Sequence, residues 1–211
     1  MKKRQTRPEL AEDNRRGVLD AAREQFVAKG FHGASLEAIA EAAGFSKGVV
    51  YSQFGSKNEL FFALLEERIE QRQQHNRQLA ASLSGPEGLE AMARDAIGLS
   101  AENLAWQALL LEFRAHAARD AALNDRYGAL HRRTIAHVSE VLAGICERGG
   151  SPPPLPPATL ATLFLAIGTG LSAELMADPR LDVRALASRA AQALSAFVPK
   201  AQATRRIRRA A

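Results

Sequence analysis

The chain has 211 residues, 46% of them hydrophobic and 24% charged, with a formal net charge of +5. That balance excludes a disordered or fibrous chain and supplies enough apolar material for one large domain or two small ones. The lone cysteine, Cys146, excludes an internal disulfide and fits a reducing, cytoplasmic setting, while the basic surplus points weakly to a polyanionic partner.

Alanine and leucine dominate and β-branched and aromatic residues are sparse, which favours helix over strand. Lys2, Lys3, Arg4, Arg7, Arg15 and Arg16 crowd one end. Lys200, Arg205, Arg206, Arg208 and Arg209 crowd the other. No apolar run follows the first group, so no signal peptide is expected. Residues 1–13 read as a basic, disordered arm whose charge Glu9, Glu12 and Asp13 dilute, and 200–211 as a basic, disordered tail.

A helical pattern then carries Val18, Leu19, Ala22 and Phe26 on one face, and Gly30 stops it. Ser35 is an N-cap for a short second helix with Leu36, Ile39, Ala40 and Ala43 as its apolar face. Gly44 ends that helix, Ser46 can cap a third running through Phe54, and Gly55 breaks the chain again. Ser56 and Glu59 have capping-box spacing at the head of a long fourth helix. Gly85-Pro86 opens a fifth helix, Ser100 caps a sixth rich in apolar residues, and Asp120 caps a seventh that ends at Gly149-Gly150.

A proline-rich connector leads to an eighth helix from about Pro157 to Ala177. The uncharged stretch from Gly149 to Ala173 contains it. Opened by prolines and broken by Thr162, Thr169 and Ser172, that stretch reads as too short and too polar to span a membrane, hence as a buried helix. Asp182 caps a ninth helix running to about Phe197. The expected fold is all-α, about nine helices. The chain divides at the head of the fourth helix into a small part at 14–60 and a larger part at 61–199.

Three short helices with these breaks are the pattern of a helix-turn-helix, whose third helix lies in the major groove. Phe45, Val50 and Phe54 can pack inward against Phe26, Phe31 and Ile39. Ser46, Lys47, Gly48, Val49 and Gln53 then face outward. Gly48 costs about 1 kcal/mol against alanine in a helix, which a close approach of DNA would explain.

The order and spacing of Gly30-Phe31, Ser35, Ile39-Ala40, Ala43 to Gly48, Tyr51, Phe54 and Lys57 to Leu60 resemble the signature of the tetracycline-repressor (TetR) family over roughly residues 14–62. The resemblance implies a cytoplasmic regulator, most simply a repressor, with a helix-turn-helix DNA-binding domain at 14–60 and a ligand-binding and dimerisation domain at 61–199. It would bind a pseudo-palindromic double-stranded operator as a homodimer and be released by a small-molecule effector, with no cofactor, metal or membrane.

It also assigns roles. Tyr51 and Lys57 match positions that clamp backbone phosphates, although Tyr51 can also serve in packing. Ser46 and Lys47 match the leading edge of the recognition helix, where lysine can take a guanine or a phosphate. Val49 can meet a thymine methyl. Gln53 can pair with adenine, bind phosphate or stay solvated. Ser35 would touch a phosphate beside its capping role, and the basic arm can follow the backbone or the minor groove. Ala34, Phe45 and Asn58 depart from the common pattern.

The family layout makes the last two helices a four-helix dimer bundle. Its candidate interface is Thr162, Leu163, Ala166, Ile167, Gly170 and Leu171, with Leu186, Ala190, Leu194 and Phe197. The same residues could form an intramolecular core face. Met92, Trp106, Leu109, Leu110, Phe113, His116 and Tyr127 are the candidate pocket lining for an apolar or aromatic effector, or simply core. Other readings are an architectural DNA-binding protein without a ligand, an activator, and a metal-dependent helical enzyme built on Glu112, His116 and Asp120. Cys146 is a thiol sensor or, more simply, core.

Overall fold

The computed structural model describes residues 6–97, 100–150, 152–153, 155–182, 185–186, 188–190 and 192. Among these it contains eight helices: α1 Arg7–Gly33, α2 Leu36–Ala42, α3 Lys47–Phe54, α4 Lys57–Ala80, α5 Gly85–Ile97, α6 Ala101–Ala117, α7 Ala121–Arg148 and α8 Pro157–Ala177. The start of the expected ninth helix is capped as anticipated, with Ala185 N donating to Asp182 Oδ1 at 3.0 Å. Leu194, Phe197 and the C-terminal tail lie outside the described residues, as do residues 1–5 of the N-terminal arm.

The first helix corrects one expectation. It begins at Arg7, so the second half of the supposed arm is its first two turns. Glu12 and Asp13 fall within those two turns, toward the positive end of the helix dipole, where acidic side chains are favoured. At its other end Gly30 breaks the helical backbone with φ 72° and ψ 172°.

The remaining caps show how short-range chemistry sets the breaks. Ser35 Oγ accepts from Ala38 N at 3.2 Å. Gly44, with φ 72°, closes α2 while Phe45 N donates to Ala40 O and Gly44 N to Glu41 O. That pair of bonds is a Schellman motif. Ser46 occupies the N-cap position of α3 but makes no side-chain capping bond. The capping box forms by half: Glu59 N donates to Ser56 Oγ at 3.1 Å. The Ser56 amide turns to Phe54 O, and the Glu59 carboxylate pairs with Arg126. Ser100 and Asp120 cap α6 and α7 through Asn103 N and Leu123 N.

Packing divides the chain into two units that do not follow its order. One comprises Met1–Arg72 and Ser100–Leu130, the other Gln73–Leu99 and His131–Ala211. Thus α6 packs with the helix-turn-helix, beyond the motif boundary near residue 60. Phe26, Phe31, Phe61 and Phe113 form the centre of the first core, with Phe61 and Phe113 stacked at 4.2 Å and Phe31 edge-on to Phe113 at 5.0 Å.

In the second unit Met92, Leu142, Ile145, Cys146, Leu160 and Phe164 form a separate core. Arg148 donates to Ala80 O and Leu83 O, closing the C-terminal end of α4. Burial raises the Cys146 thiol pKa, consistent with a packing role. Helix α8 overturns the expectation of a buried helix. It has 21 residues, is long and apolar enough by length and composition to cross a membrane, and has 22% of its most apolar window buried.

Candidate nucleic-acid interface

Helix α3 is anchored by two side chains. Val50 and Phe54 are buried, and Phe45 packs beside them. Arg15 lies over the Phe54 ring at 4.8 Å. Ser46, Lys47, Gly48 and Tyr51 are exposed to solvent, with Val49 half-buried. A Cβ on Gly48 would meet Ser46 Oγ at 3.9 Å, so packing inside the chain does not demand glycine. Gln53 is half-buried and its Oε1 is enclosed without a hydrogen-bond partner. This rotamer therefore does not offer the paired acceptor and donor that a bidentate adenine contact needs.

Lys47 pairs with Glu37 on α2. Tyr51 Oη donates to the same carboxylate oxygen, Oε1, at 3.4 Å, and Lys47 Nζ lies 5.4 Å from the Tyr51 ring centroid. The hydrogen bond from Lys47 holds the Glu37 carboxyl below its usual range, and Glu37 in turn raises the lysine. Nothing in the local sequence flagged Glu37, because its partner sits across the turn on another helix.

The corner between α1 and α2 is held from two sides. Glu112 of α6 accepts from Phe31 N and His32 N, each at 2.9 Å. Lys57 Nζ donates to Ala34 O at 3.0 Å and His32 O at 3.4 Å, and lies 4.7 Å from the Phe31 ring centroid. Lys57 is thus first a clasp on backbone carbonyls. An ammonium has three donors, which leaves capacity for a phosphate. Glu112 is spent on backbone amides and Asp120 on the α7 cap, so their helical spacing with His116 has a structural explanation. His116 packs on Phe31 at 4.9 Å and on His32 at 5.2 Å. Among the described residues no group of three or more His, Cys, Asp or Glu side chains is arranged to hold a metal.

The candidate pocket residues do not come together as one lining. Trp106, Leu109 and Phe113 are buried in the first core, with Leu110 and Tyr127 packed against it. Met92 belongs to the other core. Phe61 stacks on both Trp106 and Phe113, and Phe113 lies 6.3 Å from the Tyr127 ring. Trp106 does border a cleft of about 300 Å³ in the first unit, but its other walls include Asp20, Arg23, Glu67, Arg68 and Glu102.

On α8, Leu160, Ala161, Phe164 and Ser172 turn inward. Thr162, Leu163, Ala166 and Gly170 are exposed, while Ile167 and Leu171 are half-buried. Leu186 is exposed and Ala190 half-buried beyond it.

Residues 18–64 match the family model described as "Bacterial regulatory proteins, tetR family". Residues 86–208 match "BetI-type transcriptional repressor, C-terminal". Over 171 residues the chain is 28% identical to the HTH-type transcriptional regulator UidR of Escherichia coli strain K12, covering 80% of this chain and 84% of that protein. It is 32% identical over 109 residues to the HTH-type transcriptional repressor Rv1474c of Mycobacterium tuberculosis, covering 50% and 54%. A crystal structure described as a TetR-family regulator from Mesorhizobium loti superposes with a TM-score of 0.70 and 26% identity, covering 92% of this chain and 97% of that one. FadR of Bacillus subtilis, solved with stearoyl-CoA, shares the fold with a TM-score of 0.72 and 18% identity, over 87% and 99% of the two chains. With one model lying on the helix-turn-helix and another spanning more than half of its length, the chain belongs to the tetR family of bacterial regulatory proteins and is a DNA-binding transcriptional regulator.

Proposed function

We propose that the protein is a homodimeric repressor that grips a pseudo-palindromic operator with two copies of α3 and leaves it when a small-molecule effector binds. The observation that carries the DNA half is the face of α3, where Ser46, Lys47, Gly48 and Tyr51 stand in solvent while Val50 and Phe54 anchor the helix. One such module reads few base pairs, and a two-fold pair gains affinity and length of site. The exposed apolar face of α8 supports pairing.

Release requires only that the effector prefer the conformation that does not fit the operator. The effector class is carried over from a fold relative crystallised with stearoyl-CoA, which favours a lipophilic compound. Binding to chromosomal DNA makes the cytoplasm its working compartment.

Selection of bound fragments from the source genome, followed by footprinting, tests the reading. A protected pseudo-palindrome is expected, with binding relieved by a member of a lipophilic and acyl-thioester panel. Fragments without a shared site, bound only at low salt, would replace a specific regulator with an architectural protein.

A further inference from the structure

Two of the groups that the family resemblance assigns to DNA on α3, Lys47 and Tyr51, are already engaged by one carboxylate. Lys47 Nζ and Tyr51 Oη converge on Glu37 Oε1, and the lysine also lies against the tyrosine ring. All three side chains are on the outer face, so the cluster is a surface arrangement rather than a core network. A carboxylate oxygen receiving an ammonium and a phenol occupies the role of a phosphate oxygen.

We propose that Glu37 is a selectivity residue for DNA: its carboxylate stands in for phosphate at Lys47 and Tyr51, which suppresses backbone-only binding while leaving the lysine able to reach a neutral base edge. This rests on the DNA-binding reading above, which the wild-type operator isotherm tests separately.

The chemistry differs between the two kinds of target. A phosphate must displace Glu37 or approach within its negative field. The exchange of one anion for another leaves little gain and little counterion release, the source of non-specific affinity. Guanine offers O6 and N7, which are uncharged acceptors. An ammonium with three donors can keep Glu37 on one and give another to the base. Glu37 then aims the lysine as well as neutralising it. Glu37 stands in the first turn of α2, which Ser35 caps through Ala38 N.

The test compares wild type, Glu37→Gln, Lys47→Ala and the double variant by fluorescence anisotropy. The ligands are the selected operator duplex and a scrambled duplex of equal length, across a salt series. Glu37→Gln is isosteric and exposed, and matching thermal melts establish that it folds. On the scrambled duplex Glu37→Gln is expected to bind about fivefold tighter at low salt, the upper range for an exposed ion pair. The slope of log affinity against log salt should steepen by about one unit. Operator affinity should change by less than about twofold, so the specificity ratio falls. In the Lys47→Ala background most of the gain on the scrambled duplex should vanish. An unchanged scrambled isotherm, equal gains on both duplexes, or the same gain without Lys47 would each overturn the proposal. Loss of operator affinity in Glu37→Gln would overturn it too, making Glu37 a reader of cytosine instead.

Discussion

Gly30 is required twice over at the corner that orients the helix-turn-helix. Its backbone, φ 72° and ψ 172°, lies in a region nearly confined to glycine, worth about 1–3 kcal/mol to any other residue. A Cβ there would stand 2.6 Å from Glu112 Oε2, the atom that receives the Phe31 amide. Gly30→Ala should therefore lose more than the backbone strain alone, because the carboxylate must also move. Glu112→Ala keeps the backbone and removes two charge-assisted hydrogen bonds, and should cost about 1–3 kcal/mol. Urea melts check both, and similar stability in either variant would detach the corner from α6. Lys57 is the other half of the clasp. Lys57→Ala should cost about 1 kcal/mol through the Ala34 carbonyl. If its remaining donor reaches phosphate, the salt slope should also flatten by about one unit on every duplex. Lower stability with an unchanged slope would assign Lys57 to the corner alone.

At the scale of elements, α3 carries a local conflict that points outside the protomer. Gly48 weakens a helix of only eight residues, yet a Cβ there would have room. Gly48→Ala should raise stability by up to about 1 kcal/mol, from helix propensity. It should weaken operator binding at least tenfold if DNA backbone or bases approach that surface, a loss of about 1.4 kcal/mol. Thermal melts paired with anisotropy read both effects, and a stabilised variant with full affinity would leave Gly48 without a DNA role. The same helix shows how far local rules reach. Its breaks at Gly44 and Gly55 are turn chemistry written into the chain. The orientation of Gln53 and the pairing of Lys47 depend on neighbours that no spacing rule supplies.

At the scale of the molecule, the unfinished surface is α8. Its mean hydropathy over the most apolar window is 1.6, and the protomer covers little of it. Leu163 is 40% exposed. Leu163→Glu should leave the protomer folded, since that side chain faces out. It should raise the dimer dissociation constant about a hundredfold or more, because a carboxylate buried without a partner costs about 3 kcal/mol or more. Sedimentation velocity over a concentration series reads the change. An unaltered association state would move the interface away from this face. Operator affinity should fall in parallel, since half-site binding forfeits the gain from pairing.

Residue types and spacing by themselves determined the helical class, most helix breaks and the helix-turn-helix, because caps, glycine turns and apolar periodicity act within a few residues along the chain. The family motif was legible for the same reason, being short and contiguous. Tertiary structure alone decided that Glu112, some 80 residues from His32, holds the helix-turn-helix corner, and that Glu37 covers Lys47. It also decided that Trp106 and Phe113 fill a core while Met92 belongs to another, and that the most apolar helix stays exposed. Apolar residues at helical spacing mark a face, but what that face meets depends on contacts between segments far apart in the chain, and periodicity carries no record of those.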